Sequence, residues 1–186
     1  EWVGRDYEKG LANLDSVMKA MPKGRVDKIE EQDAPSFYFL SQREQVSTDA
    51  LGDMLGRVYG TIMQHINANS IEITSFPFAL VHHWPMGDHT GPADIEAAIP
   101  VPKGTAGTDN INYGKFIGGP IVIAYYYGAY EESGMAHEAL HQWAEENGKM
   151  LGDTPWEVYV TDPGEEPDQS KWLTMVCYRV GDEPAS

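Results

Sequence analysis

The chain predicts an α+β fold of two pseudo-symmetric strand–strand–helix–strand–strand repeats, forming an antiparallel sheet with helices on one side and a ligand cleft between the halves. Three observations lead there. One phrase is written twice: Phe76-Pro77-Phe78-Ala79-Leu80-Val81 returns as Thr154-Pro155-Trp156-Glu157-Val158-Tyr159-Val160, with Pro155 78 residues after Pro77. That interval is too long for a solenoid repeat and suits a duplicated half-domain. A long amphipathic helix precedes each copy, and a strand ending in Pro100-Val101 or Arg179-Val180 closes it. Helices segregated from antiparallel strands are the mark of α+β architecture.

Taken in order, residues 1–22 read as a helix, because Tyr7, Leu11, Leu14, Met18 and Met21 make one apolar stripe before Pro22-Lys23-Gly24 stops it. Residues 1–24 are therefore expected to be a helix and linker that docks on the body or connects to an upstream domain. A chain that begins at Glu1 rather than methionine is expected to be a piece of a longer protein. The main domain is expected over 25–186, with repeats at about 25–102 and 111–181. In the first repeat, strands are predicted at 26–32 and 36–42, followed by N-cap chemistry at Ser47-Thr48-Asp49. The next helix has Leu51, Met54, Leu55, Val58, Tyr59, Ile62, Met63 and Ile66 on one face. Strands at 77–84 and 94–101 follow, and a Gly/Thr-rich link covers 103–110. The second repeat has strands at 112–117 and 121–127, then a helix at 131–147 with acids in its first turn and Gly148 as its stop. Strands at 156–161 and 172–180 complete it. The loops 85–93 and 162–171 occupy equivalent places.

Composition narrows the function classes. The chain has 186 residues, 13 Lys+Arg against 29 Asp+Glu, and a net charge of −16. Such a surface repels phosphate backbones, which argues against direct nucleic-acid binding and favours cationic partners. The single cysteine, Cys177, lies in a hydrophobic strand and reads as a buried, inert thiol. No stretch approaches the roughly 20 apolar residues of a membrane span, and no signal-peptide pattern is visible, so a cytoplasmic location is expected. No phosphate loop, dinucleotide fingerprint or nucleophile elbow is present, and no cofactor is expected.

His137-Glu138-Ala139-Leu140-His141 matches the helical zinc-protease pattern H-E-x-x-H. The apolar stripe of this helix runs through Ala136, Ala139, Leu140, Trp143 and Ala144, which turns His137 and His141 away from its centre. The histidines are expected to face water, and no metal site is expected. His82 and His83 alternate on a strand and point to opposite faces, while His89 sits on a loop; all three read as surface or rim histidines.

Glu157 interrupts an apolar strand and shares one face with Tyr159. If Trp156's face meets the helices, the Glu157 face looks into the groove between halves. A carboxylate there is poorly solvated and needs donors or a cation. The alternative is a wet strand surface. Tyr125, Tyr127, Tyr130, Phe37 and Phe39 are candidate walls, with Trp84, Trp172 and Tyr178 nearby, although alternate residues on these strands must enter the core. Rings around one acid suit flat, cationic ligands.

Several phrases together carry a family resemblance: Gly128-Ala129-Tyr130-Glu131, Ala136-His137-Glu138-Ala139-Leu140, Trp143, Glu145-Glu146-Asn147-Gly148, Pro155 to Pro163, Lys171-Trp172-Leu173-Thr174 and Asp94 to Val101. The chain resembles the GyrI-like family, the effector-binding domain of AraC-type and multidrug-sensing regulators, over about residues 25–181. The resemblance implies that Glu157, with Tyr159 beside it, lies in a central cleft and pairs with cationic or polar aromatic ligands. It implies a sensor or sequestering module for small molecules. Some relatives hydrolyse strained electrophilic natural products, so a hydrolase using Glu157 and Tyr159 is the alternative, and an acidic, gyrase-inhibitor-like protein-interaction module is a further one. Met175 stands where relatives often have an acid, and Arg179 replaces their usual proline.

Overall fold

A computed structural model describes residues 24–85 and 91–182. The helix expected at 1–22 and the loop histidine His89 lie outside the described residues. The elements are β1 (Arg25–Ala34), β2 (Phe37–Ser47), α1 (Leu51–Ala68), β3 (Phe78–His83), β4 (Pro92–Val101), β5 (Asn112–Phe116), β6 (Gly119–Tyr127), α2 (Gly134–Asn147), β7 (Lys149–Leu151), β8 (Trp156–Tyr159) and β9 (Leu173–Asp182). The order in the sheet is β1-β6-β9-β8-β3-β4-β2-β5, with β7 paired to β9, and every pairing is antiparallel.

The helices form where the sequence pattern demands. In α1, Met54, Val58, Ile62 and Ile66 are buried at spacings of four, so the apolar stripe lies on the sheet. The Ser47-Thr48-Asp49 phrase enters through a short 3-10 turn, Thr48–Ala50, and Ser47 makes no side-chain capping bond, unlike the expected N-cap. α2 begins later than its acids predict. Glu131 and Glu132 occupy a 3-10 turn, Tyr130–Glu132, and the helix starts at Gly134. Its end is as expected, with Gly148 at φ 62°, the left-handed region where glycine carries no Cβ penalty.

The two helices pack on different strands of one face. α1 lies on β2 and β4, and α2 on β1, β6 and β7. Between them runs a seam floored by β3, β8 and β9. At its centre the two copies of the repeated phrase pair directly: Phe78 opposes Val158, Ala79 opposes Glu157 and Leu80 opposes Trp156. Ala79 and Glu157, equivalent positions of the repeat, face each other at the pseudo-twofold centre. The chain also exchanges strands across this centre. β1 pairs with β6, and β5 pairs with β2, so each sheet half is completed by a strand from the other part of the chain.

That exchange curls the sheet. β1 and β2 are joined through only Pro35 and Ser36, and β5 and β6 through Ile117 and Gly118, yet each pair is spread across the strand order. The short links draw the two ends together. Gly118 N–H donates to the Ser36 hydroxyl at 2.9 Å, and a Cβ on Gly118 would collide with the Ala34 carbonyl oxygen. The inside of the curl is filled by Phe37, Phe39, Phe78, Phe116 and Trp156. Phe37 stacks on Phe116 at 4.8 Å, and Trp156 meets Phe116 edge-on at 4.9 Å. Trp156 therefore packs on the face away from the helices, opposite to the arrangement considered from sequence. Cys177 is buried in the same cluster, and burial pushes its thiol well up, which leaves it an inert core residue.

Candidate functional site at the seam between the helices

Strand alternation decides which side chains enter the seam. On β8, Glu157 and Tyr159 point to the helix side, because Glu157 opposes Ala79 and Val176, which belong to the clusters under α1 and α2. Tyr178, on β9, joins the same face. Glu157 is largely buried, with 14% of its side chain exposed. Its Oε1 accepts from the Ser133 hydroxyl at 2.8 Å and lies 3.1 Å from His137 Nε2, while Oε2 accepts from the Tyr159 hydroxyl at 3.1 Å. Among the described residues, His137 is the only basic side chain in ion-pair range of this carboxylate.

A row of rings stands beside the acid. Tyr59, from α1, meets Tyr159 at 6.4 Å; Tyr159 meets Tyr130 at 5.2 Å; and Tyr130 packs on Trp172 at 5.0 Å. Outward hydrogen bonds fix three of them. Tyr59 donates to the Phe78 carbonyl at 2.8 Å, Tyr130 to the Thr161 carbonyl at 2.8 Å, and Trp172 Nε1 to the Glu166 carbonyl at 2.7 Å. On the α2 side, the Tyr178 hydroxyl is 2.8 Å from His137 Nδ1 and 3.4 Å from His141 Nε2. When Nε2–H donates to Glu157, Nδ1 is free to accept from Tyr178, giving a connected Glu157–His137–Tyr178 path.

The phenols report the local field. Burial first, then the Glu157 charge, pushes Tyr178 up to about 12 and Tyr159 well above the usual phenol value. Tyr59 rises for the same two reasons, and Tyr130 goes up to about 12 through burial and the charges of Asp162 and Glu131. These hydroxyls stay protonated near neutrality, in a potential that resists added negative charge and attracts positive charge. At the floor of the seam, Thr174 is fully buried and its hydroxyl has no hydrogen-bond partner among the described residues.

The structure brings together Glu157, Tyr159, Trp172 and Tyr178 of the candidate residues, with Tyr130. It places Phe37, Phe39, Tyr125 and Tyr127 on the opposite face. Phe37 and Phe39 fill the curl, Tyr125 donates to Glu30 at 2.6 Å, and Arg25 sits 4.7 Å over the Tyr127 ring. Trp84 follows β3 and is exposed. Of the histidines expected to face water, His141 is exposed as expected, with Nε2 3.4 Å from the Tyr178 hydroxyl, whereas His137 is drawn in by Tyr178 and Glu157. His82 is likewise held, 2.8 Å from Glu96. The sequence signal for His137 was the H-E-x-x-H spacing itself; Ser133 and Tyr59 carried none. Among the described residues no group of three or more His, Cys, Asp or Glu is placed to hold a metal ion. Two surface hollows of about 420 and 410 Å³ lie elsewhere, beside His65 and Pro102 and beside Gln42 and Asp109. Neither combines a buried charge with rings, and the seam does.

Comparison with known proteins identifies the family and the fold. Residues 27–180 match the GyrI-like small molecule binding domain. A sequence comparison with curated proteins gives no match. Among solved structures, the EcmrR C-terminal domain is similar in fold with a TM-score of 0.72 at 20% identity, covering 84% of this chain and 98% of that one. A Listeria innocua protein described as a hydrolase gives 0.61 at 15% identity, covering 90% and 97%. SAV2435, solved bound to tetraphenylphosphonium, gives 0.58 at 11% identity, covering 83% and 94%. With the match running through both halves of the sheet and both helices, the chain belongs to the GyrI-like small molecule binding domain family.

Proposed function

We propose that this small-molecule binding domain takes flat aromatic cations in the seam between α1 and α2, with Glu157 as the charged anchor. The observation behind it is a carboxylate 14% exposed, with no Lys or Arg in ion-pair range among the described residues and a row of four rings at its side. A buried carboxylate held only by neutral donors and one histidine gains from a cation. Tyr159, Tyr130 and Trp172 supply faces for stacking and cation–π attraction. Tyr130 opens one short 3-10 turn and Trp172 follows another, and both are part-exposed, which makes them the outer walls against which a ligand would lie. That a neighbouring fold is known with tetraphenylphosphonium bound is consistent with the aromatic-cation part of this reading, although that cation is tetrahedral rather than flat. Fluorescence titration with a cationic dye tests it: wild type is expected to bind and Glu157→Gln to bind far more weakly. Equal affinity of the two forms would refute the ion pair.

A second reading is favoured by one specific contact. His137 links Glu157 to the Tyr178 hydroxyl, so the carboxylate has a path for moving a proton, as a general base needs. A hydrolase acting on an electrophilic aromatic ligand would use Glu157 to direct water, with Tyr159 as donor. Mass spectrometry after incubation with such a compound separates the readings. Water addition lost in Glu157→Gln indicates the enzyme, whereas recovered intact ligand indicates a binder.

A further inference from the structure

Among the described residues, the seam contains one buried polar side chain without a hydrogen-bond partner. Thr174 is fully buried on β9, in register with Tyr126 on one side and Tyr159 on the other. It faces the helix side, like Glu157. Glu157 opposes Val176, two residues along the same strand, so Thr174 is its diagonal neighbour, at a backbone separation of about 7–8 Å. Its hydroxyl has no partner among the described residues. A buried hydroxyl left unpaired destabilises a fold, and valine would fill the same strand position without that penalty. Such a group calls for an explanation, and a bound partner supplies one.

The carboxylate beside it constrains what the partner is. Both Glu157 oxygens already accept hydrogen bonds, from Ser133, Tyr159 and His137. Oε1 is shared by Ser133 and His137, whereas Oε2 accepts from Tyr159 alone and keeps one lone pair open. An N–H cation can donate to that open position, which a cation without N–H groups leaves unmet.

We propose that Thr174 is a second polar anchor of the site, and that the ligand is a flat aromatic cation with its charge on N–H groups, such as an amidinium or a protonated amino-heteroaromatic. One N–H donates to Glu157 and another to the Thr174 hydroxyl, while the ring system lies against Tyr159 and Tyr130. This rests on the function proposed above and narrows its ligand class.

The test compares two flat fluorescent cations, aminoacridinium, which has N–H donors, and N-methylacridinium, which has none. Wild type is expected to bind aminoacridinium about tenfold more tightly or better. Thr174→Val should abolish most of that preference while leaving N-methylacridinium unchanged, and should raise the thermal midpoint of the ligand-free protein. Thr174→Ser, which keeps the hydroxyl, should keep the preference. Equal wild-type affinities for the two dyes, or a preference that survives Thr174→Val, would overturn this inference and leave the aromatic-cation site standing. Binding of neither dye, or binding indifferent to Glu157→Gln, would overturn both.

Discussion

Glu157 and Glu96 sit on opposite faces of one sheet in nearly the same polar company. Each carboxylate accepts from a serine hydroxyl, Ser133 at 2.8 Å and Ser41 at 2.6 Å. Each lies against a histidine ring nitrogen, His137 at 3.1 Å and His82 at 2.8 Å. Their side chains are 14% and 17% exposed, so burial does not separate them either. What differs is the second ring of neighbours. Glu96 stands across from Leu80 on β3 and Arg43 on β2, and its charge helps hold the Arg43 proton. Arg43 is itself clasped by Asp94 at 2.7 and 2.9 Å. Neither acid has a Lys or Arg in ion-pair range among the described residues. Glu96 has Arg43 directly across its strand pair, however, whereas Glu157 has Ala79 and Val176 across from it and Tyr159, Tyr130 and Tyr59 nearby. A buried acid satisfied by serine and histidine is therefore compatible with a purely structural role. On the function proposed above, the rings and the absence of an arginine across the strand pair are what would mark Glu157 rather than Glu96 for a ligand.

The sharpest way to break this comparison is to neutralise each acid in turn. Glu157→Gln is expected to weaken cationic-dye binding roughly 100-fold, the scale of losing one member of a desolvated charge pair, while Glu96→Gln changes it less than about twofold. Similar losses in fluorescence titrations of both variants would erase the distinction. Trp172→Ala, which removes the ring packed on Tyr130, is expected to reduce affinity about tenfold through lost stacking. Calorimetric titration that finds no change would take Trp172 out of the site.

Stability should rank the two clusters in the reverse order. Ser41 is fully buried, and Ser41→Ala leaves the Glu96 carboxylate short of a donor, lowering unfolding free energy by about 1–2 kcal/mol in denaturant melts. Ser133 is part-exposed on its turn, where water can replace the hydroxyl, and Ser133→Ala should lose about half that or less. A separate effect appears only at alkaline pH. Tyr178 titrates near 10 when unfolded and is pushed up to about 12 by burial and Glu157. The unfolded chain then loses its proton first, so stability is full below about pH 10 and declines as pH rises toward 12. Tyr178→Phe should reduce that decline in chemical-denaturation series, and an unchanged slope would show that burial and Glu157 do not hold the Tyr178 proton.

Much of this was legible along the chain because it depends on local periodicity. The stripe from Leu51 to Ile66 gave α1, Gly148 gave the end of α2, and alternation put Glu157 and Tyr159 on one face. The repeated phrase located the place where the halves meet, and its two copies do pair there. The ring set was only half legible. Phe37, Phe39, Tyr125 and Tyr127 look as suitable as Tyr130 and Trp172 in a linear reading, but they fall on the other side of the sheet. The short strand β7 has no pattern of its own; it exists through its pairing with Val180–Asp182 of β9.

By itself, then, the sequence determined which residues alternate, which turn is helical and which acid breaks an apolar strand, because these follow from bonds and periods a few residues long. Only the tertiary structure decided which sheet face carries the helices, since that depends on β1 and β5 changing partners and the two-residue links curling the sheet around Phe116 and Trp156. The same long-range packing carried His137 from an expected surface position to a contact with Glu157, because Tyr178, 41 residues away in sequence, reaches across to hold its ring. Register and curl are sums over the whole sheet, and no window of neighbouring residues contains them.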